Sequence, residues 1–249
     1  MILRRLKTHI EKENWFAVFI DFCIVVIGVF VGLQVANWHE ERVNEQRSNV
    51  FLGALLEDIQ ADIIDMDVTI AVETARISAL DHLIVNATGK TLPDGFDSAR
   101  GRVDIVSYAP YSEADSFDLG YSLFIMNYVP SRRAAYETII NSGGLELING
   151  ADLLREIQTY YARVESIQNF EDIMQSTRER FVEVQRRFGI SPIDDQTMDG
   201  LVELFDQNKA DAAAASEFWL FTNYHLRLLH DHLAAAEQFS TQLEQAVSK

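Results

Sequence analysis

The chain has 249 residues, a formal charge of −17 and a single cysteine, Cys23. Such acidity speaks against nucleic acid or an anionic lipid surface as a partner for its body, because both would repel it. One cysteine excludes an intrachain disulfide, so the fold must rest on its core alone.

Residues 1–42 hold five basic and five acidic groups, so the whole negative excess falls on the remainder. The first 14 residues alternate Ile2, Leu3, Leu6 and Ile10 with Arg4, Arg5 and Lys7. That pattern predicts a short amphipathic leader at a membrane surface.

Residues 15–38 follow as a candidate transmembrane helix, bracketed by Trp15 and Trp38 as interfacial aromatics would bracket it. A helix of that length spans roughly 36 Å, enough for a bilayer core of about 30 Å with some tilt. Only Phe22 to Leu33 is wholly apolar, so Asp21, Gln34 and Asn37 must sit inside or at the rim. Asp21 is the costly one, at about 2.5–3.5 kcal/mol near a helix centre. It shares a helix face with Gly28 and Gly32, which form a G-x-x-x-G pair. These three residues mark a candidate face for a partner helix, since glycines admit close backbone approach. A cleaved signal peptide is the competing reading, against which stand the length of the run and the poor cleavage site Gln34-Val-Ala36. Arg4, Arg5, Lys7 and Lys12 before the span outnumber Arg42 and Arg47 after it. The positive-inside rule therefore predicts a cytoplasmic N-terminus and an extracytoplasmic body over 39–249.

From Leu52 apolar residues recur at steps of four and three: Leu52, Leu56, Ile59, Ile63, Met66, Ile70, then Ile77, Leu80 and Ile84. Glu73 alone breaks the run. Such a seam suits a coiled-coil partner or the chain's own helical bundle. Leu55, Ile64, Val68, Val72 and Leu83 would widen the stripe as a globular bundle requires. Gly89, Pro93, Asp94 and Gly95 turn the chain.

Residues 100–130 are the least regular, and any strand is expected there, with Val103–Tyr108 and Tyr121–Tyr128 as short strands or helical turns. Tyr108, Tyr111, Phe117, Tyr121, Phe124 and Tyr128 crowd this insert. With Arg132 and Arg133 they form the candidate docking or ligand surface. The other reading is a cap over the bundle end, with the two arginines paired to acidic neighbours. Ser131 is placed as N-cap of a short helix over 132–141, ended by Ser142-Gly143-Gly144. Long helices are expected from Ala151 to about Phe188 and from about Asp211 to Ala246, with a short one over 197–205. The fold class is thus mainly α: one transmembrane helix, then an elongated helical bundle with a small irregular or β-containing insert.

Two stretches carry a family likeness. The first holds Glu13-Asn-Trp15, Asp21-Phe22, Val25-Val26, Gly28-Val29-Phe30-Val31-Gly32, Gln34 and Asn37-Trp38. The second holds Ser131-Arg-Arg-Ala-Ala-Tyr136, Ser142-Gly143, Leu145 to Ile148, and Leu153-Leu154-Arg155 through Tyr160-Tyr161. Together they resemble an uncharacterised bacterial family, the domain of unknown function 6090 type. The resemblance implies a single-pass bacterial inner-membrane protein with a helical periplasmic domain, and it carries over no activity.

Catalytic signals are lacking. His225, His230 and His232 stand at steps of five and two, where a helical metal site wants three or four. They read as solvated or capping histidines. No phosphate loop, G-x-S-x-G elbow or Cys–His pairing occurs. The expectation is a non-enzyme without cofactor or metal. Its role is read as that of a membrane-anchored interaction or scaffold protein, partnered through the transmembrane helix by a second copy or another membrane protein. The alternative is an extracytoplasmic ligand-sensing module acting through a partner membrane protein.

Overall fold

The structure is a computed structural model that describes residues 15–98, 101–113, 119–124, 126–129, 131–191 and 196–248, with backbone alone at 15–18, 101 and 120–122. The leader with Arg4, Arg5, Lys7 and Lys12 lies outside the described residues, as does Phe117. The chain divides into two compact units, Met1–Val50 and Phe51–Lys249.

In the first unit the described residues are helical. They open α1, Trp15–Thr88, which contains no proline and runs unbroken through Gly28, Gly32 and Gly53. From Phe19 to Trp38 the large apolar side chains are exposed, Trp38 at 62%.

The second unit is the helical body. It comprises the remainder of α1, a hairpin of β1 (Gly95–Ser98) and β2 (Gly101–Asp104), and the short helices α2 (Leu119–Phe124) and α3 (Ala134–Asn141). A 3-10 turn over Gly144–Leu147, α4 (Ala151–Arg187), α5 (Met198–Gln207) and α6 (Ala212–Val247) complete it. The mainly helical class with a small sheet insert is as the periodicity predicts.

Two apolar clusters run along this bundle. One joins Leu52, Leu55, Ile59 and Met66 of α1 to Ile157, Val164 and Ile167 of α4 and Leu229, Ala236 and Leu243 of α6. The other joins Ile77, Leu80 and Ile84 to Met174, Phe181 and Val184 and to Phe218, Trp219 and Leu226. Membership gives the directions. Both α1 and α4 run from the first cluster to the second, and α6 runs back. Parallel neighbours need a long connection: between them Leu92, Ile105, Leu123 and Met126 pack in the second cluster, and Val129, Ile139 and Ile148 in the first.

The seam of α1 drifts as a straight helix must, because a 3.5-residue repeat does not match 3.6 residues per turn. Leu52, Ile59, Met66 and Leu80 are buried throughout, while Leu56, Ile63 and Ile70 are only half-buried before Ile77 and Ile84 turn inward. Leu55, Val72 and Leu83 widen the buried stripe, but Ile64 and Val68 stay exposed.

Three local expectations change. The sheet begins earlier than 100–130, within a stretch read as turn, because its one apolar cross-strand pair is Phe96 with Val103. Arg102 holds it from outside, reaching Asp94 at 2.6 Å and Asp104 at 2.9 Å. The stretch from Tyr121 contributes to a helical turn, α2. Ser131 does not cap α3, whose N-cap is Arg133 with no side-chain cap. By contrast Thr197 accepts from the Gly200 N–H to open α5, and Gly189 at φ 76° closes α4 with Ile190 N–H bonded back to Gln185.

The seam makes a paired prediction. Ile59→Ala should cost about 2–5 kcal/mol in denaturant unfolding, because Ile59 is fully buried. Ile64→Ala, at 64% exposure, should cost under about 0.5 kcal/mol.

Candidate functional site

The break in the seam at Glu73 becomes the centre of a buried polar layer. Glu73 and Arg76 are three residues apart on α1, one helical turn, and form an ion pair with neither side chain exposed. Facing them from α6 is His225, whose Nδ1 lies 3.5 Å from Glu73 and whose Nε2 lies 3.3 Å from Glu171 of α4. These are ion-pair contacts without hydrogen-bond alignment. The Arg76 guanidinium also lies over the Phe218 ring at 5.5 Å, where the face of the ring attracts a cation. Two acids and two bases, one pair from α1 and one from α4 and α6, therefore balance inside the core.

Electrostatics follow from that balance. Burial would push the His225 imidazole down, but Glu73 and Glu171 outweigh it and hold it up at about 9. Burial would likewise raise the Glu73 carboxyl, but Arg76 and His225 hold it below the ordinary carboxylate value. The layer lies at the border of the two apolar clusters: on α4, Glu171 stands between Ile167 and Met174, and on α6, His225 stands beside Leu226 of one cluster and one turn before Leu229 of the other.

A second polar set fastens the returning segment to the bundle. Glu171 accepts from the Val129 N–H at 2.7 Å. Asp62 of α1, 1% exposed, accepts from the Arg132 N–H at 3.2 Å, from its guanidinium at 3.0 Å and from the Tyr160 hydroxyl at 3.0 Å. Asp65 takes the same Arg132 guanidinium at 2.7 Å. Asp58 accepts from the Ala135 N–H at 3.2 Å. That last bond explains the missing cap of α3, because a carboxylate from α1 satisfies a first-turn N–H and meets the positive end of the helix dipole. Asp58, Asp62 and Asp65 fall at i, i+4 and i+7, on one face, while Arg132 and Ala135 of the strap meet them in the opposite order. Burial raises the Asp62 pKa against the lowering effect of Arg132 and Tyr160. Tyr160 and Tyr161 are pushed well above the ordinary phenol, by burial first and then by the neighbouring aspartates.

The sequence-predicted surface is distributed over different environments. Tyr108 accepts from the Trp219 indole at 3.2 Å, engages Asp81, and is pushed up to about 12 chiefly by burial. Tyr111 leans on His82 with ring centres 5.2 Å apart. Phe124 is buried in the second cluster, and its carbonyl accepts from Arg178 at 2.7 Å. Tyr121 lies on α2, and Tyr128 is exposed with its hydroxyl donating to Gln175 at 3.2 Å. Arg132 is tied to Asp62 and Asp65, and Arg133 lies 6.0 Å from the Tyr161 ring. Tyr108 and Phe124 thus share the cluster at one end of the bundle, whereas Arg132 and Arg133 serve the other. Asp21, Gly28 and Gly32 lie in the first unit, where a Cβ at either glycine would meet nothing within 4 Å.

The histidines need correction. Only His230 is solvated, and both His225 and His232 are buried. They are seven residues apart, two helical turns, and so share the inward face of α6. Steps of five and two between neighbouring histidines conceal that spacing of seven. Among the described residues no group of three or more His, Cys, Asp and Glu is arranged to hold a metal.

Residues 21–88 match the model of DUF6090, a family of unknown function. That match bears out the family resemblance and takes in Glu73, Arg76 and the Asp58–Asp65 face. The second motif, from Ser131 to Tyr161, lies outside the matched residues, although Asp62 grips it at Arg132 and Tyr160. No curated protein and no solved structure matches the chain.

Removing one charge from the layer tests it. Arg76→Met should cost about 3–5 kcal/mol by urea unfolding, since it leaves two carboxylates facing one imidazole in the core. Adding Glu73→Leu to that variant should restore part of the loss.

Proposed function

We propose that this protein is a membrane-anchored interaction protein whose helical domain meets its partners outside the cytoplasm of a bacterium. In this reading residues 15–38 cross the inner membrane once, with the leader in the cytoplasm and residues 39–249 in the periplasm. The observation that carries it is the exposure of α1 from Phe19 to Trp38. This segment is long and apolar enough to cross a membrane, and none of its apolar window is buried. A core helix of a soluble protein would bury that surface, so here lipid or another apolar partner must cover it. A signal sequence passes the same test of length and composition. Against cleavage stands Gln34-Val-Ala36, a poor small-x-small site.

A binding role accords with the chemistry of the body. The buried charged groups at its centre are engaged with one another, on three helices and the strap, rather than converging on an open cleft. The helical domain then serves as a rigid presented body. Asp21, Gly28 and Gly32 are the face through which the span would meet a second copy or another membrane protein.

Alkaline phosphatase fused after Lys249 should be active, and a reporter that works only in the cytoplasm should be silent there. An inactive phosphatase sinks the topology. For the partner face, cysteines placed along the span, with Cys23 replaced by Ser, should crosslink to protein on the Asp21–Gly28–Gly32 side. Gly28→Leu and Gly32→Leu should each reduce that crosslinking several-fold while insertion is retained. Crosslinks that ignore the face, and survive both substitutions, would leave the helix only an anchor.

A further inference from the structure

The inward face of α6 carries two histidines in opposite settings. His225 stands between two carboxylates, Glu73 of α1 and Glu171 of α4, with Arg76 of α1 beside them. His232, 2% exposed, has neither ring nitrogen hydrogen-bonded among the described residues. Its ring lies 5.0 Å from that of Tyr160, whose hydroxyl is committed to Asp62. Its charged neighbour on α4 is Arg163, a cation. Each histidine serves a different part of the bundle: His225 the layer between the clusters, His232 the cluster of Leu229, Ala236 and Leu243.

We propose that these two histidines make the bundle a pH-window device, in which acid loosens the His232 part, alkali loosens the His225 layer, and both hold near neutrality. This goes beyond the interaction role and does not depend on the membrane topology. Protonating His232 would place a cation among apolar and aromatic side chains beside Arg163, and among the described residues no carboxylate lies within ion-pair reach of its ring. Deprotonating His225 would leave the buried Glu171 carboxylate facing a neutral ring, and Glu73 with Arg76 as its counter-charge.

The signs follow by linkage. Burial, then Arg163, lowers His232 to about 4. An exposed imidazole titrates near about 6.5, so the unfolded chain takes up this proton first and stability falls as pH drops through that interval. His225 is held at about 9, so its contribution is complete below about 6.5 and is lost as pH rises through about 9. Two carboxyls enter the acid side as well. Asp62, raised by burial, takes up a proton in the folded state and offsets part of the loss. Glu73, held low, withdraws its contribution only as pH falls below the ordinary carboxylate range. The decisive comparison is therefore between variants rather than within one curve.

The test uses the full chain in neutral detergent micelles, with urea unfolding followed by circular dichroism across pH. The His232 term predicts a fall in the folding constant of roughly a hundredfold between about pH 7.5 and about pH 4.5, and the His225 term a similar fall between about pH 6.5 and about pH 9.5. His232→Phe, which keeps a ring against Tyr160, should remove the acid loss and leave the alkaline one. His225→Gln should do the reverse. Persistence of either loss after its own histidine is replaced overturns the proposal. Should a variant fail to fold, histidine Cε1 resonances of the unsubstituted chain decide: of its six histidines, one titrating far above and one far below the ordinary range supports the device, and all six near about 6.5 overturn it.

Discussion

Burial of the Glu73–Arg76 pair is the constraint on which the body depends. Taking an ion out of water costs several kcal/mol even after relaxation, and only a close opposite charge recovers it. On α1 the pair is local, but it does not suffice. The second oxygen of Glu73 needs His225, and His225 in turn needs Glu171. Three helices are thereby committed to one another at a single level. Sliding any of them by a turn would set a charge against Ile70, Ile77 or Leu229. The apolar seam alone would tolerate such a slip, because leucine and isoleucine pack comparably one turn along. The polar layer sacrifices some stability relative to an all-apolar core and gains a defined register.

The same acid–base economy orders the connection between the parallel helices. A returning segment carries backbone N–H groups that must be satisfied where it lies against other elements. Glu171, Asp62 and Asp58 supply acceptors in sequence along it, at Val129, Arg132 and Ala135. Glu171 belongs to both systems, holding the strap and the imidazole through the same oxygen. The strap is consequently coupled to the layer through one shared carboxylate oxygen. If the domain presents a surface to partners, this coupling is the route by which the core could alter it.

Much of this molecule was legible in residue order. The apolar run, the mainly helical class, the end of α4 and the start of α5 follow from local rules: a hydrophobic period, a glycine at a positive φ, a threonine at a helix start. Each depends on neighbours within a few residues, so the sequence carries the whole cause. The seam showed Glu73 as an interruption and no more. Its meaning required Arg76, Glu171 and His225 to meet, and those residues are separated by up to 152 positions.

What tertiary structure alone decided is which charged groups are inside. Thirty-eight acidic residues in the chain made any single carboxylate uninformative in advance. Asp58, Asp62 and Asp65 share a helical face, but that face reads as solvated until the strap is laid across it. The histidines were misjudged for the same reason: His225 and His232 are polar residues on an apolar face, and adjacency in sequence ranked them with exposed His230. The sequence by itself determined the long apolar helix and the other helices, because hydrophobic periodicity is local and additive. Packing determined the polar core, because a buried charge is tolerable only opposite its counter-charge, and that pairing exists only once the helices have met.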